Sequence, residues 1–234
     1  MTSTGKLYGV GVGPGDPELI TVKAVKVIES ADIIFTAASS KNSYSLAVEI
    51  ASPYIKKTAE TRQLKFPMTK HCDMVESAWI SNAKEISHEL TAGKTVVFLT
   101  LGDPTTYSTF GYILKKMAIV MPEADIETVP GITSFHAAAA RLNRILVEGE
   151  ESLLITSGAY GGDRIRSAGS VENIAIVKAY KNIKDINQSL KDTGLFNKGV
   201  AVSKCGRSHE AIINNLDDLE TRDPDYWTLI LASK

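Results

Sequence analysis

Residues 6–37 constrain the fold more than any other stretch. KLYGVGVG (6–13) reads as an apolar, glycine-punctuated strand, and DIIFTA (32–37) reads as a second one. Between them, Asp16 is a natural N-cap, Pro17 fits a first helical position and Glu18 suits the positive end of a helix dipole. Leu19, Ile20, Val22, Val25 and Ile28 then keep a helical stripe to Ser30, so one helix is expected from Asp16 to Ser30. Strand, tight turn, helix and strand make a βαβ unit, and such units build parallel sheets.

The alternation continues with helix over 43–56, a short strand at 61–66, and a long helix over 73–92 stopped by Gly93. KTVVFLTLGDP (94–104) reads as a buried strand ending in a turn, followed by helix to about 120. Later come a strand at 126–129, a helix to about 142, and strands at 152–156, 173–179, 199–204, 210–214 and 227–233. Only two helices, near 163–169 and 183–192, separate the first four of those five strands, and the last two are close enough to pair antiparallel. The expectation is an α/β chain with an N-terminal parallel-sheet domain over 1–121 and a C-terminal mixed-sheet domain over 122–234.

Composition narrows the class. With 26 basic and 27 acidic residues the net charge is −1, which disfavours a dominant nucleic-acid or membrane-surface role. Two cysteines, Cys72 and Cys205, are too few for a disulfide framework, and a cytoplasmic setting is expected. No apolar run approaches the ~18 residues of a membrane helix, and the first residues lack a signal-peptide apolar core.

Three loops could carry chemistry. The first, Gly9-Val-Gly-Val-Gly13-Pro14-Gly15-Asp16-Pro17, fails the dinucleotide fingerprint in both registers, and no Gly-Lys-Ser/Thr follows for a P-loop. Asp16 also places a carboxylate where a phosphate would sit. The second, Thr100-Leu101-Gly102-Asp103-Pro104-Thr105-Thr106-Tyr107-Ser108-Thr109, ends a strand, where open α/β sheets bind ligands, and Thr105 or Thr106 could equally cap a helix. The third, Val129-Pro130-Gly131-Ile132-Thr133-Ser134-Phe135-His136-Ala137, opens an alanine-rich helix. Each alone is also what a capped turn looks like. His71-Cys72 and Cys205-x-x-x-His209 lack the spacing of a zinc site, and no G-x-S-x-G elbow is present, so no metal and no hydrolytic triad are expected. His136, Trp79 and Trp227 read as packed residues.

Taken together and in this order, the loops resemble the tetrapyrrole methyltransferase family over essentially the whole chain. Val10-Gly-Val-Gly-Pro-Gly-Asp16 with Leu19-Ile20-Thr21, Gly102-Asp103-Pro104 and Pro130-Gly-Ile-Thr-Ser134 look like its three signatures. Gly102-Asp-Pro-x-x-Tyr-Ser-Thr-Phe110, Phe66-Pro-Met-Thr69, Ser134-Phe-x-Ala-Ala138 and Trp227-Thr-Leu-Ile-Leu231 are similar to the branch that methylates carbon 20 of precorrin-2 or cobalt-factor II. The resemblance implies a two-domain fold, often a homodimer, with S-adenosylmethionine held in the interdomain cleft and S-adenosylhomocysteine as product. By position it implies cofactor contacts from Pro14, Leu101, Gly102, Asp103, Thr106, Tyr107, Thr133, Ser134 and, through the backbone of strand 176–180, Ala179. That strand carries Val177 or Ala179 where the family has Met, and Thr156–Gly162 matches no family motif.

Methyl transfer from a sulfonium is an in-line displacement, so no side-chain nucleophile is required and no catalytic residue is assigned. An acidic macrocycle would need cations, and Arg62, Lys65, Lys70, Arg141, Arg144, Lys178, Lys204 and Arg207 are the candidates. Three alternatives remain open at this stage: methylation at a different macrocycle carbon, a diphthine-synthesis or ribosomal-RNA relative, and a nucleotide-binding module without catalysis.

Overall fold

In a computed structural model of the chain, residues 4–38, 45–67, 69 and 72–234 are described. They form two compact units, one ending at Thr133 and one beginning at Ser134.

The first unit contains β1 (Lys6–Gly11), α1 (Val22–Ser30), β2 (Ile33–Ala38), α2 (Leu46–Ala51), β3 (Glu60–Lys65), α3 (Cys72–Thr91), β4 (Val96–Thr100), α4 (Phe110–Val120) and β5 (Asp125–Val129). Its five strands are all parallel, in the order β3-β2-β4-β1-β5. Both faces are buried, so the central strand β4 runs apolar from Val96 to Leu99 and is buried at every position. Ile33, Phe35, Val96 and Phe98 pack with α3 and α4 through Ile86, Leu90, Ile113 and Met117. Ile34, Val97, Leu99 and Val10 pack with α1 and α2 through Ala24, Ile28, Ala47 and Ile50. Gly9 leaves room for the Phe110 ring, which a Cβ there would meet at 2.1 Å.

Two expectations change here. The helix from Asp16 to Ser30 is two elements: a 3-10 turn at Pro17–Leu19, capped by Asp16, and α1, capped by Thr21. Ile20 is extended (φ −73°, ψ 134°), because the Thr21 hydroxyl takes the Ala24 N–H and restarts the helix. The domain boundary expected at 121/122 falls at 133/134, because β5 pairs with β1 along Lys6–Val10 and so belongs to the first sheet.

The second unit contains α5 (Ser134–Arg141), β6 (Leu153–Ser157), α6 (Asp163–Arg166), β7 (Asn173–Val177), α7 (Ile183–Asp192), β8 (Val200–Ser203), β9 (Ala211–Ile213) and β10 (Thr228–Ser233). The sheet order is β6-β7-β10-β8-β9, parallel between β6 and β7 and antiparallel elsewhere. α6 and α7 cover one face with Ile165, Ile186 and Leu190, and α5 lies against β7 and β10. The mixed sheet agrees with expectation, but β9 and β10 do not pair. β10 is buried along Thr228–Ala232 and takes a central place between β7 and β8, whereas the short β9, with Ile212 exposed, sits at the edge.

Candidate functional site

The three glycine loops follow β1, β4 and β5, which are adjacent in the first sheet. Parallel neighbours end at the same edge, so stretches about ninety and thirty residues apart in sequence meet there by topology. The contact is backbone on backbone. Gly13 and Gly102 exchange both amide hydrogen bonds, with Gly13 N–H donating to Gly102 O at 3.3 Å and Gly102 N–H donating to Gly13 O at 2.7 Å. Both adopt left-handed φ, +79° and +68°. Gly131 closes the third side: a Cβ on it would lie 2.2 Å from Gly102 O, and a Cβ on Gly11 would lie 2.8 Å from the Gly131 Cα.

Asp103 fastens the arrangement. It is 8% exposed. One carboxylate oxygen accepts the Gly131 N–H at 3.1 Å, and the other accepts the Thr105 N–H at 2.8 Å and the Thr105 hydroxyl. Burial alone would raise its pKa, but these bonds and one from the Thr106 hydroxyl hold it below the usual carboxylate value. Four donors match the roughly four lone-pair sites of a carboxylate. Asp103 is thus a negative charge whose acceptors are taken up within the protein. Neither Thr105 nor Thr106 caps a helix: the N-cap of α4 is Thr109, without a side-chain cap bond, and Ser108 just before it accepts the Phe110 N–H and pairs with the Thr100 hydroxyl. Tyr107, 51% exposed, holds a left-handed φ of +50°. Pro14 is buried, and Leu101 and Thr133 are half-buried beside the same strand ends.

Ser134 and Ala179 belong to the second unit. Ser134 is the first residue of α5. Ala179 is buried in the core, and its N–H is occupied by Thr228 O at 2.9 Å. It also lines a cavity of about 740 Å³ at the carboxyl ends of β7 and β8, with Ser203, Lys204, His209, Asp225 and Thr228.

The candidate cations divide sharply. Arg62 is bonded to Glu60 and Glu89 at 2.6–2.9 Å. Arg141 pairs with Glu210 at 2.7 Å, and Arg144 donates to Lys198 O, Leu231 O and Ser233 Oγ. Lys204 lies 3.2 Å from Asp225. Lys178 and Arg207 instead lie over the rings of Tyr226 and Trp227. Lys65 is exposed on β3, and Lys70, with Met68 and His71, lies outside the described residues. His136 is exposed on α5 against Phe135 rather than packed in the core, and Trp79 stacks on Tyr112 at 4.0 Å. Among the described residues no group of three His, Cys, Asp or Glu could hold a metal, and no helix is long and apolar enough to cross a membrane. Sequence reasoning missed the Tyr180–Tyr226–Trp227 ring contacts, which join loops more than forty residues apart and carry no local signal.

The chain is 33% identical over 232 residues to the cobalt-precorrin-2 C(20)-methyltransferase of Salmonella typhimurium, covering 98% of this chain and 97% of that protein. Its fold is similar to the X-ray structure of cobalt precorrin-4 methyltransferase, a cobalamin biosynthetic enzyme, with a TM-score of 0.73 and 29% identity over 97% of this chain and 94% of that one. It shares the fold of the Thermus thermophilus uroporphyrin-III C-methyl transferase complexed with S-adenosyl homocysteine, with a TM-score of 0.71 and 20% identity over 98% and 92%. Residues 6–220 match the family model described as Tetrapyrrole (Corrin/Porphyrin) Methylases, so the backbone-clasped strand ends of the first unit belong to a member of that family.

Proposed function

We propose that this chain is an S-adenosylmethionine-dependent C-methyltransferase of cobalamin biosynthesis acting on carbon 20 of precorrin-2 or cobalt-factor II. The carrying observation is the convergence of the Gly11–Pro14, Gly102–Asp103 and Gly131 backbones, in a chain similar end to end to a C(20)-methyltransferase. S-adenosylmethionine supplies the electrophilic methyl on a cationic sulfonium.

The residues of the first unit suit such a ligand better than a phosphate. Asp103 puts a buried negative charge beside the loop ends, and the partly exposed Asp16 carboxylate stands at the start of the 3-10 turn. In this reading Pro14, Leu101, Gly102, Tyr107 and Thr133 of the first unit contact the cofactor. Asp103 and Thr106 act by holding the loops in shape. The protein's task is orientation of the donor methyl, which needs no nucleophile of its own. The reading includes a homodimer and a cytoplasmic setting; light scattering on the purified protein checks the first.

The test is incubation with methyl-labelled S-adenosylmethionine and each macrocycle, metal-free and cobalt-bound, followed by product NMR. The expected result is one label at carbon 20. A label at another carbon assigns a different member of the family, and binding without transfer would support a non-catalytic module.

A further inference from the structure

In the second unit, β7 and β8 end on either side of the start of β10. Ala179 N–H donates to Thr228 O and Lys204 N–H donates to Trp227 O. Just past each strand, Lys178 and Lys204 adopt left-handed φ of +57° and +53°, and Asn182 and His209 nearby adopt +56° and +66°. Side-chain sterics disfavour this conformation for the two lysines, while Asn and His enter it more readily. Strain gathered on one rim points toward a function there.

The same rim carries an aromatic ladder. Tyr226 meets Trp227 edge to face at 5.0 Å and Tyr180 at 5.2 Å. Tyr226 and Trp227 are 39% and 37% exposed. The Arg207 guanidinium lies 5.2 Å from the Trp227 ring centre, and its Nη1 is shielded from solvent with no hydrogen-bond partner in the protein. A guanidinium nitrogen withdrawn from water without an acceptor is unfavourable, and a ligand oxygen would relieve it. The planar fork of arginine on an aromatic face fits a carboxylate attached to a flat, conjugated ring.

We propose that Arg207, lying over Trp227, receives a carboxylate of a planar conjugated polyacid, with Tyr226 and Trp227 flanking the ring edge. The inference rests on the macrocycle-methyltransferase reading above and selects one cation from its candidates.

Arg207→Gln removes the charge, and Arg207→Lys keeps the charge without the fork. Each is titrated by calorimetry with S-adenosylhomocysteine and, separately, with cobalt-factor II. Arg207→Gln is expected to raise the macrocycle Kd about tenfold to a hundredfold. Arg207→Lys should recover part of that loss, and both variants should keep the S-adenosylhomocysteine Kd within about twofold of wild type. An unchanged macrocycle Kd in Arg207→Gln overturns the proposal. So does a loss of nucleoside affinity matching the macrocycle loss, which would make the rim a cofactor site. Should Arg207→Gln fail to fold, Arg207→Lys decides alone: macrocycle affinity equal to wild type there counts against the fork. Wild-type product labelled at a carbon other than 20 overturns the C(20) assignment and leaves the Arg207 comparison intact.

Discussion

Asp103 shows how one side chain can shape a loop while its acceptors are all taken up within the protein. Asp103→Ala strands the Gly131 and Thr105 amides, and a buried donor left alone costs about 1–3 kcal/mol. Urea unfolding should register that loss, and calorimetry should show weaker S-adenosylhomocysteine binding. The carboxylate pKa lies lower folded than unfolded, where it is about 3.9. Its ionised contribution is therefore complete above about pH 4 and fades as pH falls through the lower folded value. The stability gap between wild type and Asp103→Asn should narrow below about pH 4, and a gap constant down to pH 2 would contradict the assignment. Cys205 supplies a second residue-scale test. Burial, and then Glu210 beside it, raise its thiol pKa to about 11. In a Cys72→Ser background, a maleimide at pH 7.5 should label it slowly in the native protein and quickly in denaturant.

At the scale of elements, the clasp leaves no room for a side chain at Gly11 or Gly131. Gly131→Ala drives a Cβ to 2.2 Å from Gly102 O, backbone against backbone, so about 3 kcal/mol of destabilisation is expected. Gly111, in the first turn of α4, meets nothing within 4 Å; Gly111→Ala should stabilise by about 0.5 kcal/mol. Paired denaturant melts check both signs. Strand and helix positions were legible because the 2.0 and 3.6 periodicities are local. The split at Ile20 was not, since Leu19-Ile20 continues the helical stripe and only the Thr21 hydroxyl interrupts it. Nor was the meeting of Gly11, Gly102 and Gly131: each reads locally as a turn, and their union depends on the order β4-β1-β5.

For the molecule as a whole, ligand binding should be visible as stability. S-adenosylhomocysteine at about a hundredfold its Kd adds about 2.7 kcal/mol, or a rise of roughly 5–10 °C in the Tm of a chain this size. ATP at the same concentration should leave Tm in place, because Asp16 and Asp103 oppose a phosphate at those loops. Differential scanning fluorimetry separates the two, and an ATP shift matching that of S-adenosylhomocysteine would favour the nucleotide-module alternative. Long-range pairing was the least legible level. β5 follows a junction at Pro122 and looks like the opening of a new domain, yet its partner is β1, more than a hundred residues earlier. β10 follows β9 along the chain but inserts two places away. That insertion has a consequence during synthesis. A nascent chain can finish its first sheet once β5 has left the ribosome, whereas β7 and β8 each keep an open edge until Thr228–Ser233 emerges to bridge them, so the second unit matures last and is the half most in need of protection from aggregation on the way.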